Sequence, residues 1–299
     1  MTAPRHLLAL TDFSAPARHA AERAASLAAE LGARLDLLHV LETGALEELK
    51  RLFADEPDGL DERLRQQARD ALTDLAAEIG TANGLSPGIL LAEGAPMATI
   101  VERADALDAD LLVLGVHGAN YMRHWILGAT AERLLRKTRR TLLAVRELPR
   151  GPYRSILVPV DFSAGSPRLV RLARALAPRA RLTLLNVYQV PFESNLRLAG
   201  VEEARIQHHR IAASQAAHVK LHLLAEAAGL APDSYTAVVV HGDAASRILE
   251  QEEEQDADLI AIGKQGLGLA EDLLLGSVTK HVLAEARCDV LITQRDAPR

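Results

Sequence analysis

RHLLALTDFSAPARHAAERAASLAAELGARLDLLHV, residues 5–40, returns in altered form as RSILVPVDFSAGSPRLVRLARALAPRARLTLLNV, residues 154–187. Asp12 recurs as Asp161 after 149 positions, and Val40 as Val187 after 147. The register then settles at 148, pairing Gly94 with Gly242, Gly115 with Gly263, Gly118 with Gly266, and Gly128 with Gly276. Chance does not hold an offset this constant across half of a 299-residue chain. The period is far longer than the ~20–50 residues of a solenoid repeat, so the chain is a duplicated domain. The boundary falls in ELPRGPY, Glu147 to Tyr153, where two prolines and a glycine interrupt regular structure. Two domains follow, 1–147 and 153–299.

Each copy alternates strand and helix. Residues 7–11 form a short apolar run, read as a strand buried on both faces. Residues 16–31 carry helical periodicity and stop at Gly32, a plausible C-cap. Strands are predicted at 35–40, 89–92, 111–116 and 141–145. Helices are predicted at 60–79, from Pro96, where proline suits the first turn, and from about Ala129. The second copy repeats the strands at 156–160, 182–187, 237–240, 259–262 and 290–293. Continuous apolar strands alternating with helices predict an α/β fold: two tandem doubly wound, parallel, five-stranded sheets. Ligands of such sheets lie outside the carboxyl ends of the strands, where the strand order reverses.

Composition narrows the function. Aromatic residues make up 3% of the chain and the net charge is −6. Nucleic-acid stacking platforms need aromatics in a basic groove, so no nucleic-acid partner is expected. The single cysteine, Cys288, excludes an internal disulfide and a cysteine metal cluster, and is read as a small buried residue. The apolar stretch in MTAPRHLLALTDFS is too short for a signal peptide, and no run of about 18 apolar residues exists. A cytoplasmic protein without a membrane span is expected.

The residues with chemistry cluster at the predicted strand ends. Asp12 and Asp161 end the first strands, and Gly115 and Gly263 end the fourth. Residues 263–279 read GKQGLGLAEDLLLGSVT, with Ser277 and Thr279 opening a helix. Such a segment suits a polyphosphate. Glycines admit close approach and positive φ, and helix N-termini attract anions. Hydroxyls at Ser277 and Thr279 are expected to donate to phosphate, and Asp161 to accept from sugar or base. Strand-to-helix turns alone would also use glycine, so the spacing, the hydroxyls and the aspartate carry the reading together.

The combination of VDFS, residues 160–163, with Gly263-x2-Gly266-x9-Gly276-Ser277 resembles the universal stress protein family, over nearly the whole chain. The resemblance implies adenine and ribose contacts from Pro159, Val160, Asp161 and Val187. It implies a phosphate loop of Ile262, Gly263, Gly266, Gly276, Ser277, Val278 and Thr279. The implied ligand is ATP or a related adenine nucleotide, with or without Mg²⁺. It also implies fifth strands at sheet edges, paired as an internal pseudo-dimer with a pseudo-two-fold; a further homodimer would use another surface. The first domain departs from the pattern. Asp12, Val40, Gly115, Gly118 and Gly128 are kept, but Ala129 stands in the place of Ser277 and Ala131 in that of Thr279, with Thr130 shifted by one. Its loop carries the bulkier Tyr121, His124 and Trp125. Weak or no nucleotide binding is expected there.

Other features weigh less. His218, His222 and Glu226 share a helix face without a third fixed ligand, so no metal site is assigned. His117 and His241 fall near the strand ends. Residues 250–254 read as a charged helix end, and 191–204 as a loop over the second cleft. Nothing resembles a Walker A loop, an HxGH motif or the SGGxDS loop of ATP pyrophosphatases, and no general base is evident. Three functions remain: a nucleotide-dependent stress-response regulator with an unknown protein partner, a scaffold that binds no nucleotide, and an enzyme that is at most a slow ATPase or an adenylate transferase.

Overall fold

The computed structural model describes residues 3–44, 47, 59–116, 129–265 and 275–294, with the backbone alone for 129–132 and 194. The chain divides between Pro152 and Tyr153 into two compact units, at the end of the ELPRGPY segment.

The first unit runs β1 (His6–Leu10), α1 (Ala15–Leu31), β2 (Arg34–Glu42), α2 (Leu60–Asn83), β3 (Gly88–Gly94), α3 (Pro96–Ala106), β4 (Leu111–Gly115), α4 (Ala129–Lys137) and β5 (Thr141–Val145). Its strands are parallel in the order β3-β2-β1-β4-β5. The second unit runs β6 (Ser155–Pro159), α5 (Ser166–Leu176), β7 (Arg181–Tyr188), α6 (Glu193–Leu198), α7 (Glu203–Ala227), β8 (Thr236–His241), α8 (Ala244–Glu254), β9 (Leu259–Gly263), α9 (Ser277–Glu285) and β10 (Asp289–Thr293). Its order, β8-β7-β6-β9-β10, is also parallel. In each unit the order reverses beside the first strand, between β1 and β4 and between β6 and β9. A crevice therefore opens at those carboxyl ends.

The central strands are apolar on both faces because helices cover both. Leu7, Leu8 and Ala9 of β1, and Leu111, Leu112 and Val113 of β4, are fully buried. Few aromatics are needed because α1 packs through alanine. Ala20, Ala21, Ala24, Ala25 and Ala28 are 0% exposed, so the helix backbone can approach the sheet closely. Ser14 caps the helix, its hydroxyl accepting from the Ala17 N–H, and Gly32 ends it at φ 62° with its N–H on the Ala28 carbonyl. A serine cap stabilises a helix by about 1 kcal/mol, and the left-handed end is cheap only for glycine.

Two expectations are corrected, the loop at 191–204 and the buried Cys288, while the charged run 250–254 does close α8. Residues 191–204 hold the short helix α6, anchored where Glu193 accepts from Arg210 and lies 2.9 Å from His241 Nε2. The loop reading failed because α6 is short and its Leu198 is exposed, so no buried apolar stripe marks it in the sequence. Glu252, in the charged end of α8, is 5% exposed. Its Oε1 accepts the N–H groups of Arg287 at 2.7 Å and Cys288 at 2.6 Å, which ties α8 to the approach of β10. Cys288 itself is half-buried.

Candidate functional site

In the second unit β6 runs out at Pro159, and the chain turns sharply. The Val160 N–H donates to the Leu185 carbonyl at 2.8 Å, and Asn186 Nδ2 donates to the Val160 carbonyl at 2.8 Å. This holds the turn against β7. Asp161 Oδ1 then accepts the Ser163 N–H at 3.0 Å and the Ser166 hydroxyl at 3.1 Å. The carboxylate thus reaches over the turn that delivers the chain to α5. Between them Phe162 is left-handed, at φ 60°, and its repeat mate Phe13 has φ 63°. A bulky residue in that region is strained, and the same strain at the same place in both copies marks it as part of the turn's design.

The opposite wall comes from β9 and α9. The Thr279 hydroxyl donates to the Gly263 carbonyl at 2.8 Å, and the Gly276 N–H donates to the Lys264 carbonyl at 2.9 Å. Gly276 caps α9. The first-turn N–H groups of α9, from Ser277 on, have no acceptor within the helix, and the positive end of its dipole points the same way. Ser277 is exposed, whereas Thr279 is 3% exposed.

These elements enclose a cavity of about 490 Å³. Pro159, Val160, Asp161, Val187, Ile262, Gly263, Gly276, Ser277, Val278 and Thr279 all line it. Gly266 lies outside the described residues. Sequence reasoning missed Ser163, Ser166, Lys264, Gln265 and Gln294, and the wall that Ala244 and Ile248 of α8 supply. The VDFS motif could have flagged Ser163. Ile248 follows only from the packing of α8 and carries no local signal.

Two chemical expectations change. Among the described motif glycines none is left-handed: Gly276 has φ −60°, and Gly115 and Gly263 do not have positive φ. Their backbones end strands or cap a helix in ordinary conformations, so only the missing side chain matters. The Thr279 hydroxyl proton is committed to the Gly263 carbonyl, so Ser277 is the hydroxyl of this pair that faces outward.

The first unit builds the same turn differently. Asp12 Oδ1 accepts the Ser14 N–H at 3.0 Å and its hydroxyl as well. Ser14 caps α1 at once, so the helix starts at Ala15, whereas α5 waits until Ser166. Pro16 therefore presses onto the end of β4. A Cβ placed on Gly115 would stand 2.6 Å from the Pro16 carbonyl oxygen, whereas one on Gly263 would meet only the Gln265 carbonyl oxygen at 3.4 Å. His39 Nδ1, 2.8 Å from the Thr11 carbonyl, stands in the place of Asn186, and its ring lies 4.4 Å from that of Phe13. Val40 is half-buried on β2. Gly118, Gly128, His117, Tyr121, His124 and Trp125 lie outside the described residues, as does the side chain of Thr130.

Among the described residues no group of three or more His, Cys, Asp or Glu side chains is arranged to hold a metal ion. His222 Nδ1 lies 2.6 Å from the Tyr235 hydroxyl, and His218 Nδ1 lies 3.0 Å from the Ser214 carbonyl. No helix among the described residues is long and apolar enough to cross a membrane.

The family model described as "Universal stress protein family" matches the chain twice, over residues 4–146 and 152–294. A universal stress protein of Mycobacterium tuberculosis is 26% identical over 238 residues, covering 77% of each chain. Universal stress protein A homolog 1 of Coxiella burnetii is 28% identical over 141 residues, 47% of this chain and 95% of the relative. The crystal structure of a universal stress protein from Archaeoglobus fulgidus shares the fold with a TM-score of 0.68 at 18% identity, covering 97% of this chain and 98% of the other.

Proposed function

The chain belongs to the universal stress protein family, and from that premise we propose that its second domain binds ATP or a related adenine nucleotide and so acts as a nucleotide-dependent regulator in the cytoplasmic stress response. One observation carries the reading. The Pro159–Asp161 turn, the Val187 end of β7 and the N-terminus of α9 border a single cavity. Its polar and apolar features are arranged as a nucleotide needs. Pro159, Leu185 and Val187 give an apolar edge for a base. Asp161 gives an acceptor for sugar or base donors. The first turn of α9 gives backbone donors and a positive dipole end for phosphate, with Ser277 adding a hydroxyl. ATP fits this donor set; Mg²⁺ would accompany the phosphates rather than be held by a preformed acidic cluster.

The first domain is read as a partner in the scaffold. Pro16 lies closer against Gly115 than any described residue of the second domain lies against Gly263. This steric difference adds to the Ala129-for-Ser277 exchange.

Mass spectrometry of the denatured, freshly purified chain tests the reading. A copurified adenine nucleotide, or calorimetric binding of ATP with and without Mg²⁺, supports it. A ligand-free protein that ignores ATP, ADP, AMP and cyclic AMP would leave the scaffold function.

A further inference from the structure

The second domain's cavity carries a lysine where the first domain has a valine. Lys264 lines the cavity between Gly263 and Gln265 and is 3% exposed. Its counterpart 148 positions earlier is Val116, which is 1% exposed. The two backbones are bonded alike: the Lys264 N–H donates to the Thr293 carbonyl at 2.8 Å, and the Val116 N–H to the Val145 carbonyl at 3.0 Å. The same point of the fold thus takes an apolar residue in one copy and an ammonium in the other. Closing the sheet at this point needs no charge.

Lys264 Nζ donates to Gln294 Oε1 at 3.2 Å, and Gln294 also lines the cavity. The Lys264 carbonyl accepts from Gly276, the cap of α9. Two sources of positive potential, the side-chain ammonium and the helix N-terminus, are therefore fastened to one wall. An anion lying across that wall is stabilised by both, and in a sheltered site each acts more strongly than in bulk water.

We propose that Lys264 is the specificity-determining cation of this site: its ammonium, on the wall it shares with Gly276 and Gln294, pairs with the phosphate of the ligand, so the cavity takes phosphorylated adenine compounds in preference to nucleosides. This assignment rests on the adenine-nucleotide reading above and gives that reading a charge selectivity.

Titration calorimetry on the full chain with ADP, adenosine and inorganic pyrophosphate tests it. Lys264→Met is expected to weaken ADP at least about tenfold, as loss of a charged hydrogen bond does, and to leave adenosine within about twofold. Lys264→Arg keeps the charge and retains most of the ADP affinity. If Lys264→Met does not fold, Lys264→Gln carries the same comparison. Equal losses for ADP and adenosine in a folded variant would mean a structural role and overturn the proposal, as would unchanged ADP affinity. A wild-type chain that binds pyrophosphate through Lys264 but neither adenine compound would keep the cation assignment while removing the adenine reading. Binding of none of the three overturns both.

Discussion

Thr279 and Gly263 are joined within one wall of the second-domain cavity by a hydrogen bond of 2.8 Å from the threonine hydroxyl to the glycine carbonyl. The bond fastens the start of α9 to the end of β9, on either side of the segment 264–278. It separates two hydroxyls that the sequence presents side by side. Thr279, 3% exposed, holds the wall together, and Ser277, exposed, is available to a ligand.

Thr279→Val is therefore a stability variant before it is a binding variant. It keeps the shape, removes the donor and leaves the Gly263 carbonyl short of a partner, at a cost of about 1–3 kcal/mol. Ser277→Ala should alter thermal stability little and weaken ATP several-fold. Melting curves and calorimetry on both variants separate the roles. Equal loss of stability in the two would contradict the division.

The two domains should differ in occupancy. One ATP per full-length chain is the expected stoichiometry, because Pro16 lies against Gly115. Ser277→Ala should weaken that single event. A stoichiometry of two, with equal affinities, would reject the asymmetry.

The strand and helix order was legible because the buried strands are short apolar runs flanked by proline, glycine and aspartate. The observed β5, Thr141–Val145, has the expected bounds, and the others move by one or two residues at their ends. The lining of the second-domain cavity was legible because spacing survives duplication: a pattern seen twice at a constant offset identifies equivalent points. What stayed hidden depends on three dimensions. The helix start at Ala15 rather than at the equivalent of Ser166 comes from Ser14 capping immediately, and only the fold brings Pro16 onto Gly115. The partners of Lys264 and the commitment of the Thr279 hydroxyl likewise depend on backbone placed by distant strands.

Gly88 tests the register of the first sheet. It pairs with Asp36 across β2 and β3, and a Cβ there would overlap Asp36 Oδ1. Asp36 is 1% exposed and cannot step aside freely, since His6 Nε2 lies 2.7 Å away and Arg34 Nη2 2.9 Å away. Gly88→Ala should therefore destabilise the first domain by about 1–3 kcal/mol, the range for overpacking a filled interior. Gly165→Ala, whose added Cβ would come no closer than 4.0 Å to the Ser163 hydroxyl, serves as the tolerated comparison. Thermal melts that rank the two in the opposite order would discredit the packing at Asp36.

The last prediction concerns acid. Asp243 caps α8, the helix that supplies Ala244 and Ile248 to the cavity. Its Oδ2 accepts the backbone N–H and the hydroxyl of Ser246, each at 3.0 Å. These bonds, the backbone one first, hold its carboxyl below the usual range. A carboxyl depressed in the folded state contributes stability that is present above its unfolded pKa, about 3.9, and lost as pH falls through the lower folded value. Asp243→Ala should accordingly lower stability near neutral pH by about 0.5–2 kcal/mol, the range for an N-cap. Most of the difference from wild type should vanish once the pH has fallen through the depressed folded value, where both chains lack the charge. Because every other carboxylate titrates alike in the two proteins, comparing their melts at pH 7 and at low pH isolates this one. A gap that persists undiminished in acid would show that the cap acts through its shape and not through its charge.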